Sequence, residues 1–250
     1  MKVGIVGYTP LIGQGASRSW SKLTYYVART LIRLGHEVAF APAFDSARAK
    51  GVYVRIDGRE SPITDPGDLG EHGVDVALAL FGAHLCAPYE CSVRWRAYER
   101  FARVLEEVRG SGVRKVVAYT SLDLYENVSP ATLEHLSKHF DYVIFFNEVD
   151  LEAYKRHFES KGVKPPPCSA VTPGVDTELY TPGKRVEGES TLLYIGRNSI
   201  EKDPARLIAV LAALKRRGVR AKLVMLADPC GLAPYGVSDL AAVASGLGVA

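Results

Sequence analysis

A chain of 250 residues, 47% of them hydrophobic and 24% charged, is long enough for one large globular domain or for one domain and part of another. Its net charge of +3 is mild and its cations are spread along the sequence, which argues against nucleic acid as the main partner. The longest uncharged apolar run, from Val76 to Tyr89, is too short to cross a bilayer. No signal peptide is recognisable, so we expect a cytoplasmic protein.

Apolar runs alternate with helical periodicity over roughly the first two thirds of the chain. The runs predict strands at Val3–Gly7, Glu37–Ala41, Val52–Ile56, Val74–Phe81, Lys115–Thr120, Tyr142–Phe146 and Cys168–Val171. Apolar spacing and capping residues predict helices at 20–34, at 94–109, from Ser129-Pro130 onward, and at 149–160. This alternation predicts a doubly wound parallel, Rossmann-like sheet, whose ligands bind beyond the carboxyl ends of the strands.

A second strand–helix pattern begins after the polar stretch 184–190. It predicts strands at 192–195 and 223–226, a helix capped by Asp203 and Pro204 and ended by Gly218, and a last helix at 238–247. Two strands and two helices cannot cover both faces of a parallel sheet. We therefore expect a first domain at 1–186, which includes a crossover segment, and the first part of an incomplete second Rossmann-like domain at 187–250.

Two loops carry residues suited to ligand binding. The loop from Gly7 to Gly15 follows a strand, and its glycines let backbone amides approach an anionic or sugar ligand closely. It does not match the dinucleotide fingerprint. The second loop leaves the strand at 192–195 and contains Arg197 and Lys202. Cations fixed at a strand's carboxyl end can stabilise the charge that grows on a departing diphosphate.

Three segments resemble family 4 glycosyltransferases of the GT-B fold. "LLYIGRNSIEKDPARLIAVLAAL" resembles the opening of their donor domain, and "AVTPGVDTELYTP" resembles the segment that joins the two domains. "KVGIVGYTPLIGQGASRSWSKLTYYVARTLIRLGHEV" is similar to their first strand, glycine loop and helix. The resemblance implies two lobes with a cleft between them and a retaining transfer of a sugar from a nucleotide-sugar.

The resemblance also implies roles for particular residues. Arg197 and Lys202 would hold the donor diphosphate as the catalytic cations. The other implied positions contact substrate or shape the cleft: the backbone at Gly13 and Gly15 borders the reaction centre, and Gly174 and Asp176 shape the cleft wall and the crossover. In the crossover, Leu179 and Tyr180 are expected to pack against the core.

The chain also departs from the family's pattern. The family often has a histidine after the strand that matches 115–120. Here Thr120, Ser121 and Asp123 are the candidates to replace it, and His84, after the preceding strand, is another. The family's paired glutamates are not found in the visible donor half. Glu99 and Glu107 have their spacing, as do Glu126 and Glu134, but both pairs lie in the first lobe.

The function expected is a retaining hexosyltransferase that uses a nucleotide-sugar as substrate, needs no further cofactor or metal, and acts on a carbohydrate or lipid-linked acceptor. A nucleotide-sugar epimerase, a phosphorylase and a non-catalytic, truncated glycan- or partner-binding lobe stay open as alternatives. The basic helix at 94–103 suggests peripheral contact with the inner membrane face, although glutamates interrupt its positive charge. The chain is poor in heat-labile side chains, with one glutamine, three asparagines and two methionines, and this composition predicts a thermophilic source.

Overall fold

The chain folds into two compact units, Met1–Val175 and Asp176–Ala250. The computed structural model describes residues 1–8, 19–43, 52–81, 91–122, 130–183, 190–196, 198, 202–226 and 239–249. Each unit contains its own parallel sheet.

The first unit is built on a six-stranded sheet. Its strands are β1 (Lys2–Gly7), β2 (Glu37–Pro42), β5 (Val76–Phe81), β6 (Lys115–Thr120), β7 (Tyr142–Phe145) and β8 (Cys168–Ala170). They lie in the order β2-β1-β5-β6-β7-β8, and every neighbouring pair is parallel. The predicted doubly wound sheet is therefore confirmed.

Helices in the described part of the chain cover both faces of this sheet, one helix on one face and three on the other. They are α1 (Ser19–Arg33), α2 (Cys91–Gly110), α3 (Pro130–Ser137) and α4 (Glu148–Ser160). The core on one face joins Ile5, Phe40 and Leu80 to Ala28 and Ile32 of α1. The larger core on the other face contains buried side chains from all three remaining helices. The helices change face where the strand order reverses, between β1 and β5.

The predicted third strand does not join this sheet. It forms β3 (Tyr53–Ile56) and pairs antiparallel with β4 (Arg59–Pro62) in a separate hairpin. The reason is local, because Asp57 and Gly58 both adopt positive φ, at 46° and 79°, and reverse the chain in two residues. The end of the hairpin reaches the edge of β2, where the Thr64 N–H donates to the Phe40 carbonyl at 2.8 Å. A 3-10 turn, Pro66–Asp68, follows.

The second unit contains β9 (Ser190–Ile195), α5 (Pro204–Arg216), β10 (Ala221–Leu226) and α6 (Leu240–Gly246). The two strands are parallel and pair in register from Ser190 with Ala221. Apolar side chains of α5, β10 and α6 line a cavity of about 260 Å³ on one side of this sheet. On the opposite side, alternate residues stay exposed: Leu193, Ile195, Val224 and Leu226.

The caps predicted for α5 are confirmed. Asp203 adopts a left-handed conformation, with φ of 42°, and its side chain accepts the Arg206 N–H. Pro204 is the first helical residue, and Lys215 and Arg216 lie in the last turn. Gly218 has a φ of 74°, a left-handed conformation that favours glycine after a helix end.

Candidate functional site

The carboxyl edge of the six-stranded sheet has its topological switch point between β1 and β5. In open α/β sheets, ligands bind in the crevice at such a point. The segments 9–18 and 82–90 leave β1 and β5 on the two sides of this point. The predicted site residues Gly13, Gly15 and His84 belong to these segments and lie outside the described residues.

Gly7 ends β1 at this switch point and is a glycine for a steric reason. Its φ is +149°, and a Cβ atom added there would lie 2.5 Å from the carbonyl oxygen of Leu80 in β5. Atoms do not approach a Cβ so closely, so only glycine lets the two strand ends lie this near each other. The sequence showed Gly7 as the start of a glycine loop, but not that it packs against the neighbouring strand.

Thr120 and Ser121 lie at the carboxyl end of β6, which neighbours β5. Thr120 is only 1% exposed, and its hydroxyl donates to the Ser121 carbonyl at 3.4 Å. Ser121 is half-buried. The Thr120 carbonyl accepts the Phe146 N–H at 3.0 Å, which extends the pairing of β6 with β7 by one residue. Of these two candidates, Ser121 therefore has the more accessible side chain, and the third, Asp123, lies outside the described residues.

A buried carboxylate holds the chain immediately beyond these two residues. Asp150, in the first turn of α4, is 3% exposed and accepts the backbone N–H of Leu122 at 2.9 Å. The Asn147 side chain donates to the same carboxylate oxygen at 3.0 Å and accepts the Asp150 N–H at 2.8 Å. Asp150 thus joins the start of α4 to the segment that leaves β6. Sequence reasoning missed it, although the Asn147-x-x-Asp150 spacing is that of a capping box.

Tyr119 anchors the exit from the last strand of the sheet. Its hydroxyl donates to the Val171 carbonyl at 3.1 Å, and its ring packs edge-on against Phe146 with centroids 4.6 Å apart. The Val171 N–H in turn donates to the Phe145 carbonyl at 2.8 Å. Burial raises the pKa of Tyr119, so this phenol stays protonated and able to donate at neutral pH.

The crossover segment that follows contains the predicted residues Gly174 and Asp176. The Asp176 carboxylate accepts the N–H groups of Glu178 and Leu179 at 3.1 and 3.2 Å and so caps a single turn, as its residue type predicts. A Cβ added at Gly174 would meet no atom within 4 Å, so the local backbone does not itself require glycine. The expected packing of Leu179 and Tyr180 onto the core is wrong, because these side chains are 64% and 62% exposed. The Asp176 carboxylate and carbonyl, which accept three N–H groups, order this turn while the two side chains stay exposed.

In the second unit, the segment between β9 and α5 contains the predicted catalytic cations. Lys202 lies in the turn directly before the N-cap Asp203, and its side chain is exposed. Arg197 lies outside the described residues. Asn198, close to it in sequence, is 4% exposed. The turn therefore places one of the two cations in solvent beyond the carboxyl end of β9.

Among the described residues, no group of three or more His, Cys, Asp or Glu side chains could hold a metal ion. The Cys168 thiol is half-buried, and burial raises its pKa, which favours the protonated and unreactive form. No helix within the same residues is both long and apolar enough to cross a membrane.

No protein-family model matches the chain, and a search of curated proteins gave no match. Among solved structures, the chain is similar to an α-glucosyltransferase in complex with UDP and a 13-mer DNA containing an HMU base, with a TM-score of 0.52 and 16% identity over 90% of this chain. The chain has a GT-B-like fold. Two further similar structures are an α-glucosyltransferase with UDP-glucose and DNA containing an abasic site (TM-score 0.47, 15% identity) and Anabaena Alr3699/HepE with UDP (TM-score 0.49, 15% identity).

This chain spans only part of each of these GT-B proteins. The α-glucosyltransferase with the HMU-containing DNA is covered over 56% of its length, the second over 61% and Alr3699/HepE over 69%. The second and third similarities cover 88% and 90% of this chain. The predicted fold class is confirmed by the GT-B-like architecture, whereas membership of family 4 stays a prediction.

Proposed function

We propose that this chain belongs to a glycosyltransferase that moves a sugar from a nucleotide-diphospho-sugar to an acceptor hydroxyl with retention of configuration. One observation carries the proposal: the three glycosyltransferase-like segments occur in the family's order on a chain with a GT-B-like fold. At this identity the structural likeness supports the fold alone, and the motifs supply the argument for the chemistry.

The proposed donor site is the segment between β9 and α5. Lys202 is exposed and follows a parallel strand, where ligands of such sheets bind, and helix α5 itself contains no acidic residue. Arg197 would supply the planar fork that suits a diphosphate, and Lys202 a point charge. Both cations would stabilise the negative charge that grows on the leaving nucleoside diphosphate. No protein nucleophile is part of this proposal.

The acceptor is proposed to bind the first unit at the carboxyl edge of its sheet. Gly13, Gly15 and His84 belong to the two segments that leave the switch point, and Ser121 is half-buried at the end of the next strand. Gly174 and Asp176 belong to the crossover into the donor unit. A carbohydrate or lipid-linked acceptor is the first choice. The DNA in the complex of a structural neighbour makes duplex DNA a second acceptor to test.

Binding and product analysis test the proposal together. Calorimetric titration with UDP, the nucleotide in the complexes of the structural neighbours, should show binding to the wild-type chain. Incubation with UDP-glucose and an oligosaccharide, a lipid-linked sugar or HMU-containing duplex DNA should give an α-linked glucoside by NMR. A β-linked product would refute retention, and epimerised UDP-sugar without acceptor would indicate the epimerase. An absence of binding to UDP and to the other nucleoside diphosphates would overturn the proposal.

The diphosphate role is tested by single substitutions. Lys202→Ala and Arg197→Ala should each weaken UDP binding by roughly 10- to 150-fold, the factor for one lost charge-assisted contact of about 1.5–3 kcal/mol. Lys164→Ala removes an equally exposed lysine from the first unit and should leave UDP affinity unchanged. Equal affinity in wild type, Lys202→Ala and Arg197→Ala would remove the diphosphate role while leaving the fold assignment intact.

A further inference from the structure

Five cations are concentrated where α5 ends and β10 begins. Lys215, Arg216, Arg217, Arg220 and Lys222 are all exposed, and we name them the basic turn. The chain from Pro204 to Leu226 contains no aspartate or glutamate. Within the described part of the chain, none of the five side chains forms an ion pair. The chain's mild overall charge is therefore distributed unevenly, with a strongly positive patch at this corner of the second unit.

The basic turn has a fixed backbone. The Val219 N–H donates to the Leu214 carbonyl and the Gly218 N–H to the Lys215 carbonyl, each at 3.0 Å. With the left-handed Gly218, these two bonds form a Schellman motif, which closes the helix and holds the next residues in place. The motif leaves the Val219 side chain 43% exposed in the middle of the cations. The turn thus presents an aliphatic side chain surrounded by positive charge.

Helix capping accounts for only part of this charge. Lys215 and Arg216 lie in the last turn of α5, where cations interact favourably with the negative end of the helix dipole. Arg217, Arg220 and Lys222 lie beyond the last helical residue, where that effect fades. Like charges placed so close together repel one another, so an external anion would stabilise the arrangement.

We propose that the basic turn binds an anionic membrane surface, with Val219 entering the headgroup region. Clusters of four to eight cations are typical of segments that recognise anionic lipid, and a neighbouring apolar side chain adds to the binding. Residues 215–222 contain no aromatic, amide or hydroxyl side chain, the groups that stack on bases or hydrogen-bond to base edges. This composition favours a lipid surface over a nucleic acid. The inference does not depend on the proposed enzyme activity.

Vesicle co-sedimentation of the 250-residue chain tests the proposal. The wild type should bind vesicles of equimolar phosphatidylcholine and phosphatidylglycerol at about 100 mM NaCl, ignore pure phosphatidylcholine, and dissociate when salt shortens the screening length. Each cation near the surface contributes about a five-fold factor, so the triple variant Lys215→Gln, Arg217→Gln, Lys222→Gln should bind on the order of 100-fold more weakly. Val219→Ser should weaken binding by a few-fold without changing net charge.

A matched variant separates the basic turn from overall charge. Arg59→Gln, Lys138→Gln, Lys164→Gln removes the same three charges from exposed positions of the first unit and should bind like wild type. Equal loss in both triple variants would overturn the proposal, as would an absence of vesicle binding. Tighter binding to a duplex DNA competitor, abolished by the same basic-turn variant, would assign the patch to nucleic acid instead. If the triple variant does not fold by circular dichroism, Val219→Ser decides, and its binding must fall for the proposal to stand.

Discussion

Substituting Gly7 with alanine should destabilise the first unit strongly. The new Cβ would lie 2.5 Å from the Leu80 carbonyl oxygen, and the residue would have to keep a φ of +149°. The oxygen belongs to the backbone of a central strand, so no side-chain rotation can relieve the contact. The switch point between β1 and β5 would have to widen, which disturbs the pairing of two central and largely buried strands.

The magnitude follows from two costs and one smaller gain. Overpacking of this kind costs about 1–3 kcal/mol, and holding a non-glycine residue at such a φ costs about 1–3 kcal/mol more. Alanine's lower entropy in the unfolded chain returns about 0.4–1 kcal/mol. We therefore expect the free energy of unfolding to fall by about 3 kcal/mol, which corresponds to a shift of about 1–2 M in the urea midpoint of the first unit.

Urea titration followed by far-ultraviolet circular dichroism measures this shift, with Gly67→Ala as the matched control. Gly67 belongs to the same unit, has no positive φ, and its added Cβ would meet no atom within 4 Å. The control should match wild type or be slightly more stable. If Gly7→Ala unfolds within about 0.5 kcal/mol of Gly67→Ala, the steric argument for Gly7 is refuted.

Substitutions at three other positions test the local arguments. Asp150→Ala should cost about 2–4 kcal/mol, because it leaves the Leu122 N–H without its buried acceptor, and Asp150→Asn should cost less; equal losses would contradict a role for the hydrogen bond. Partial burial opposes ionisation of Asp141, but the Val116 N–H, Lys115 and Arg109 outweigh it and lower its pKa. Its stabilisation is then complete above the ordinary aspartate pKa and is lost as the pH falls through the lower folded value, so Asp141→Asn should flatten the acid side of the stability–pH curve. An unchanged acid slope would show that other carboxylates dominate. Gly174→Ala should stay within about 0.5 kcal/mol of wild type in thermal unfolding, and a larger loss would mean that glycine is needed there.

Elements with a local signal were predicted well from the sequence. The ends of α5 depend on Asp203, Pro204 and Gly218, whose side chains or backbone preferences act within a few residues. The β4 strand, Arg59–Pro62, was not predicted, because charged and turn-forming residues fill it and give no apolar alternation. What forms it is the two-residue reversal at Asp57 and Gly58.

Features that depend on contacts distant in sequence could not be predicted. Asp150 meets a backbone group 28 residues away, and Tyr119 one 52 residues away, and neither contact leaves a periodic pattern. Glycine is required at position 7 because β5 lies beside β1. The sequence alone does not give this strand order, so it could not reveal the requirement. For the candidate site, the sequence identified segments at the carboxyl ends of strands, and the strand order then brought two of them to one switch point.

The two edges of the six-stranded sheet are partly protected, in different ways. At one edge, Ile63, directly after the hairpin, forms a bridge with Phe40 in the middle of β2. At the other, β8 is only three residues long and follows Pro165, Pro166 and Pro167, which have no N–H to offer a further strand. An edge that is short or partly occupied pairs less readily with an extended peptide or with a further copy of the sheet. We therefore expect side-chain contacts to contribute more than backbone pairing when a partner binds at this sheet.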